Sequence, residues 1–426
     1  MSPRARPTMQ LALMVACTVA ALIILAALAA PGRADEGPPL TRIAFGSCAD
    51  QDQPQPIWDA VMDYRPELFI FAGDNVYGDL TPGAAGTPLA EAYAGAATIV
   101  GYQAIRQQVP VLATWDDHDY GSNDAGGDFP YKDEAKALFL NFWQIAEDDP
   151  RRTREGIYHA QVFGPAGMRL QVILLDTRSF RSPLVPTDDR GAPGKERYLP
   201  DPDPAKTMLG AAQWAWLRAQ LQQPAELRLI ISSVQVLAQG HGWERWGNLP
   251  RERKRLIELI AETGASGVIF LSGDRHVGGL YRRPGAPYAL YEITSSGLNM
   301  FYAAAREAGP LRLGQVYGRE NFGTIDIDWW ASRVTLSVRA LNGEPVRRTV
   351  IALAALSARG ARPKGLGVRG RRRSGRRRHR PAEAASIPRP AGRARAGAAV
   401  HRRESRPGVD RRLARPGAGA RGRPRR

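Results

Sequence analysis

Four short apolar stretches of the chain end on residues that a protein core does not tolerate. "IAFGSC" ends on Cys48, "LFIFAGDNVY" on Asp74 with Tyr77, "VLATWDDHD" on Asp116, Asp117, His118 and Asp119, and "VIFLSGDRH" on Asp274 and His276. A single aspartate at a strand end ordinarily caps a helix or opens a turn. Four such ends together point to one shared site, because α/β folds gather their ligands at the carboxyl ends of parallel strands. In "WDDHD" three carboxylates fall within four positions, and crowding them is costly unless positive charge lies close by. The neighbouring sequence offers no Lys or Arg. A metal ion supplies the charge, and two ions fit the inventory better than one. Thiolate, phenolate, carboxylates and imidazole mix soft and hard donors, as two different ions in adjacent sites require.

The elements that must position these groups alternate along the chain from Thr41 to about Leu356. "RIAFGSC" reads as a strand, "PIWDAVMDY" as a helix, "ELFIFAGD" as a strand, "LAEAYAGAATIVGYQAIRQQ" as one helix and "VPVLATWDD" as a strand. A helix over "YKDEAKALFLNFWQI" follows, then a hairpin of "GIYHAQVFG" and "MRLQVILLDTRS", then a helix over "GAAQWAWLRAQL". Next come the strand "LRLIISSVQVL", a helix around "RERKRLIELIAET" and the strand "SGVIFLSGD". This order predicts parallel strands joined by crossover helices. The later segments "YALYEITSS", "GTIDIDWW", "SRVTLSVRAL" and "EPVRRTVIAL" alternate like antiparallel strands, with Asn342-Gly343 as a hairpin turn. The expectation is a single α/β domain over 41–356, two packed mixed sheets with helices outside.

The ends of the chain differ from this middle. An apolar block, Leu11 to Ala30, follows Arg4 and Arg6 and contains the small-residue stretch Ala27-Leu28-Ala29, the pattern of a secretory signal peptide over 1–34. No twin arginine precedes it, so general secretion to a periplasmic or extracellular location is expected. If uncleaved, the block would serve as a membrane anchor. Cleavage removes Cys17, one of the two cysteines, and leaves Cys48 without a disulfide partner in the chain. The net charge of +17 suggests a nucleic-acid binder, but its distribution argues otherwise. From Arg359 onward there are 24 Arg or Lys against three acidic residues, whereas the preceding part has 35 against 39, a net of −4. The tail over 357–426 is Arg, Pro, Gly and Ala with little to pack, and is expected to be disordered. A weak contact with polyanions or anionic membranes is the one role its charge suggests.

"FGSC", "GDNVY", "WDDHD" and "SGDRH", in this order over about Thr41 to Leu341, resemble the alkaline phosphatase D (PhoD)-like branch of the calcineurin-type metallophosphoesterases. "LDTRSFR" and "HGWERWGN" support the same branch. The resemblance implies a four-layer αββα sandwich with a two-metal site at the strand ends. It places Cys48, Asp74, Tyr77 and His276 on a first metal, and Asp74, Asp117 and Asp274 on a second. By the same resemblance His118 faces the substrate with Asp119 as its orienter; by their charge, Arg275 or Arg178 is a candidate to hold the phosphate oxygens. Iron (Fe3+) and calcium are the implied ions, with other divalent metals admissible. A hydroxide shared between them would attack phosphorus in line.

The sequence departs from the superfamily pattern in one ligand. A histidine ordinarily comes from the strand preceding the last motif, but "LIISSVQVLAQGH" has none before His241, leaving Gln235, His241 or no ligand. Trp243 and Trp246 are candidates for the substrate mouth, and His159 reads as an ordinary strand residue. The expected function is an exported, monomeric phosphoric ester hydrolase, diesterase more than monoesterase, acting on a phosphate ester substrate. The alternative is a catalytically idle metal- or phosphate-binding protein with a polyanion-binding tail.

Overall fold

The computed structural model describes residues 34–35, 37–81, 87–306 and 309–357, so the apolar N-terminal block and the arginine-rich tail lie outside the described residues. Strands β1 (Arg42–Gly46), β2 (Leu68–Ala72) and β3 (Val111–Thr114) run parallel to one another. On the other side of β1 they continue into the antiparallel β10 (Asn321–Asp328), β11 (Arg333–Ala340) and β12 (Pro345–Ala352), giving the order β12-β11-β10-β1-β2-β3. The second sheet centres on β5 (Leu170–Leu174), β6 (Leu227–Ser232), β7 (Val268–Ser272) and β9 (Leu290–Ser295), all parallel. It is flanked by the antiparallel β4 (His159–Phe163) beside β5 and β8 (Gly278–Arg283) beside β9, with the short strand Ala34–Asp35 paired to β4.

Period-two alternation decides which face of the first sheet meets which layer. Ile43, Phe45, Leu68, Ile70 and Ala72 pack with Leu170, Val172, Leu174, Leu229 and Ile231 of the second sheet in one apolar core. The intervening Ala44, Phe69 and Phe71 pack with Trp58, Tyr102, Phe139 and Trp143 from the helices outside. Those helices are α1 (Ile57–Tyr64), α2 (Thr87–Ala96), α3 (Val100–Gln108), the single turn α4 (Asp117–Tyr120) and α5 (Lys132–Phe142). On the outer face of the second sheet lie α6 (Gly210–Leu221) and α7 (Pro250–Thr263), which supply Trp214, Leu217, Leu256 and Ile260 to the core. Proline at its first position starts α7 and Gly264, at φ 66°, stops it.

Two expectations need correction. The helix expected over residues 89–108 is two, because Ile99 is extended at ψ 118° and the Thr98 hydroxyl donates to the Gly95 carbonyl instead of continuing the helix. "YALYEITSS" does alternate, but β9 lies parallel to β7, and the unforeseen edge strand β8 is its antiparallel partner. Alternation reports exposure, not direction. Here it is further disguised by Glu292, which is buried because its carboxylate accepts from the amides of Val236 and Leu237.

Candidate metal centre

Three of the four strand ends turn abruptly, and the fourth passes straight into the single turn α4. Cys48, Asp74, Asp274 and His276 all adopt positive φ, at 63°, 47°, 65° and 53°. Non-glycine residues rarely adopt this conformation, and it is typically held where a site over-determines it. Two glycines permit the approach. A Cβ on Gly73, at φ 102°, would come within 2.5 Å of Asp116 Cβ, and one on Gly273 within 2.4 Å of Ser47 Oγ. Backbone bonds then tie the turns together: the Ala49 amide donates to Asp74 O at 2.9 Å, and the amides of Asn299 and Met300 both donate to Cys48 O at 3.2 Å.

Within this frame Cys48, Asp74 and His276 bring their ligand atoms within 4.8 Å of one another. Cys48 Sγ lies 3.4 Å from Asp74 Oδ2 and 3.1 Å from Ser296 Oγ. Tyr77 OH joins them, 3.3 Å from Asp74 Oδ2 and 3.2 Å from His276 Nε2. A second grouping joins Asp74, Asp117 and His118, and a third joins Asp116, Asp117 and Asp274. Asp74 thus belongs to the first and second groupings, and Asp117 links the second to the third. Asp124 and Glu244, which the sequence reading missed, stand beside Asp117 in a further cluster.

The side chains alone carry more acid than their burial can keep ionised. Burial pushes the Cys48 thiol up to about 12. Burial, then the charges of Asp117 and Cys48, raise the Asp74 carboxyl well above its ordinary range, and burial with Asp116 does the same to Asp274. Burial and Arg275 hold His276 down to about 4, which leaves a neutral imidazole lone pair for a ligand bond. Burial also works against ionisation of Asp117, but Arg178, His118 and the Asp124 amide together hold its carboxyl below the usual range. Asp117 Oδ1 and Asp274 Oδ2 are buried without a hydrogen-bond partner. Unpartnered buried oxygens, a shielded thiol and a neutral histidine across these linked clusters are donors that could hold a cation.

His118 and Asp119 part company. His118 Nδ1 is 2.7 Å from Asp79 Oδ1, and its ring lies 4.3 Å from that of Tyr77. Asp79 is therefore the group that orients His118. Asp119, expected in that role, is fully buried and accepts from the amides of Asp116 at 2.6 Å, Asp74 at 3.2 Å and Asn75 at 3.3 Å, so it fixes the turns instead. A cap from the third residue of α4 and a contact across to the β2 turn cannot be told apart in sequence.

The crowded carboxylates also have a protein cation that local sequence did not offer. Arg178, beyond β5, is fully buried and bonds Asp116 through Nε, at 2.6 Å, and Nη2. Its Nη1 donates to Glu244 Oε2 at 2.8 Å, and Arg181 Nε lies 2.9 Å from Glu244 Oε1. Arg178 is thereby committed to the scaffold. Arg275 instead lines a cavity of about 360 Å³ with Asp74, Asp117, His118, Asp274 and His276, together with Arg197, Trp243, Phe301 and Tyr302. Trp246, the other tryptophan considered for the mouth, is buried and donates to Ser232 Oγ at 2.9 Å. Gln235 is spent on His241 at 3.0 Å, Tyr281 at 3.0 Å and Thr294 at 2.9 Å, and His241 joins no cluster of acidic, His and Cys ligands among the described residues. His159 is a strand residue of β4, away from these clusters.

The model of the PhoD-like phosphatase family matches residues 43–304. The solved structure of PhoD is similar over 79% of this chain and 74% of its own, at 16% identity and a TM-score of 0.55. The purple acid phosphatase PPD1 from yellow lupin (Lupinus luteus) seeds is similar over 78% of this chain and 58% of its own, at 11% identity and a TM-score of 0.50. At these identities the two likenesses concern the fold, a two-sheet α/β sandwich. No curated protein sequence matches the chain.

Proposed function

The chain belongs to the PhoD-like phosphatase family, and from that premise we propose that it is a metal-dependent phosphoric ester hydrolase, diesterase more than monoesterase, working outside the cytoplasm. The observation that carries this reading is the gathering of Asp74, Asp117, Asp274 and His276 on the wall of a cavity that Arg275 also lines, with Cys48 and Tyr77 in contact with Asp74 behind them. Cys48, Asp74, Tyr77 and His276 would hold one cation and Asp74, Asp117 and Asp274 another. Such ions supply Lewis acidity toward the phosphoryl group and toward the attacking water. A thiolate and a phenolate favour a trivalent, iron-like ion in the first position, while the all-oxygen set suits calcium or another hard divalent ion.

The chain's own residues supply the rest. Arg275 holds a non-bridging phosphate oxygen from the cavity wall. His118 keeps Nδ1 on Asp79 and turns Nε2 to the leaving oxygen, to which it gives a proton. The cavity extends past the ligand cluster to Trp243, Phe301 and Tyr302, room that a diester's second arm would use and a monoester would not. Export rests on the N-terminal apolar block. Among the described residues no helix is long and apolar enough to cross a membrane.

The test is metal content of the purified protein together with hydrolysis of bis(p-nitrophenyl) phosphate and p-nitrophenyl phosphate, before and after chelation. The diester should be cleaved faster, and chelation should abolish the activity. Bound metal with no hydrolysis of either ester would instead establish the idle binding protein.

A further inference from the structure

Three aromatic rings among the described residues are strongly exposed, and two of them, Phe301 at 40% and Tyr302 at 46%, are neighbours on the wall of the metal-site cavity. Folding gains little from rings left in water. Their backbone, however, is fixed more tightly than that of an ordinary surface loop. Leu298 N donates to Ser47 O at 3.1 Å, Asn299 N and Met300 N to Cys48 O, and Tyr302 N to His276 O at 2.7 Å. The Asn299 side chain closes a further pair of bonds with the backbone of Asp50, each 2.8 Å. The segment that presents the rings is thus stapled to two of the metal-ligand residues themselves. Trp243, itself only partly exposed, lines the same cavity, with the guanidinium carbons of Arg197 and Arg275 at 5.3 and 4.9 Å from its ring centroid.

We propose that Phe301 and Tyr302, with Trp243, form a subsite for a planar aromatic non-leaving arm of the substrate, so that the preferred substrates are phosphodiesters whose non-leaving group is a nucleoside or an aryl group. This deepens the phosphodiesterase reading and rests on it. A flat ring gains from stacking on exposed aromatic faces whatever its sequence of substituents, whereas a long acyl chain needs a continuous apolar channel. The remainder of this cavity is lined by Asp124, Glu244, Arg197, Arg275 and the ligand carboxylates, which excludes such a channel. Rings already held in place lose little freedom on binding, so their contribution is realised in affinity and in orientation of the phosphate toward His118.

The experiment compares kcat/KM for two diesters that share the p-nitrophenolate leaving group: thymidine 5′-(p-nitrophenyl phosphate) and methyl p-nitrophenyl phosphate. The wild type should favour the nucleoside ester by roughly tenfold or more, as expected when one stacked base contributes. In Phe301→Ala and Tyr302→Ala the ratio should fall toward one, and Phe301→Leu, which keeps apolar bulk without the ring face, should not restore it. Both rings are exposed, so these variants retain the fold. Calorimetric titration with thymidine 5′-monophosphate against methyl phosphate gives a reading independent of turnover, and the nucleotide should bind more tightly to the wild type only. A wild type without the preference, or a preference that survives both alanine substitutions, would overturn the subsite. Absence of hydrolysis for both diesters with tighter nucleotide binding would overturn the catalytic reading and leave the subsite standing.

Discussion

His118 Nδ1 and Asp79 Oδ1 lie 2.7 Å apart, across 39 residues of chain, and His118 lines the cavity beside the acidic clusters. Burial alone would lower the His118 imidazole, but the Asp79 bond and the charges of Asp74 and Asp117 outweigh it and raise it to about 10. The ring is held in one orientation with its second nitrogen left for the substrate.

Asp79→Asn should therefore lower kcat/KM by about 10- to 100-fold, the usual cost of losing such an orienting partner. The loss should be larger for an ester with a poor alkyl leaving group than for p-nitrophenolate, which departs without a proton. An equal loss on both would mean that Asp79 acts only on structure.

Cys48→Ser should deplete the first metal selectively. A ferric phenolate absorbs visible light, so the wild type should be coloured when iron is bound through Tyr77, and the variant should lose both the colour and most of its iron while retaining divalent ions. A colourless, iron-free and fully active wild type would remove Cys48 and Tyr77 from the ligand set.

Arg178→Gln should destabilise the fold by about 3–5 kcal/mol, because it strands the buried carboxylates of Asp116 and Glu244. Adding Glu244→Gln should cost less than the sum of the two single changes, since the second removes a charge the first left unpaired. Chemical denaturation of the four proteins checks both statements.

Metal removal should change how stability depends on pH. In the side chains alone, burial raises Asp119 to about 8 and lifts Asp74 and Asp274 well above their ordinary values, while His118 is raised to about 10. Each group then binds its proton more firmly in the folded protein than in the unfolded chain. The stability they contribute is present at low pH and is lost as pH climbs through their folded values. His276, held down to about 4, acts oppositely but only below its ordinary value of 6.5. Chelated protein should consequently lose stability from pH 6.5 toward 10, by about 1.4 kcal/mol per pH unit for each proton that separates the two states. Added divalent metal should flatten the curve, which thermal melts across that range would show.

The donor inventory and its order were legible because they depend on single residues at strand ends. Apolar runs closing on Cys48, Asp74, Asp117, Asp274 and His276 mark both the strands and their polar termini, and the alternation of Ile43, Ala44 and Phe45 already separates the face toward the second sheet from the face toward the helices. Less legible was anything that periodicity does not encode. The parallel direction of β9 belongs to this class, since exposure alternates alike in parallel and antiparallel neighbours when one face is polar.

What the sequence by itself determined is the inventory from which the proposed chemistry is built: a mixed set of soft and hard donors, a histidine beside them, and a two-sheet frame to carry them. Only the tertiary structure decided how that chemistry is supported. Asp79 replaced Asp119 beside His118, Arg178 reached Asp116 from 62 positions away, and Phe301 and Tyr302 came to the cavity on a segment pinned to Cys48 and His276. The last of these depends on the left-handed turns at Cys48 and His276, which bring remote backbones into contact. Their energy comes from burial and charge at the meeting point, quantities that exist only once the distant segments are side by side.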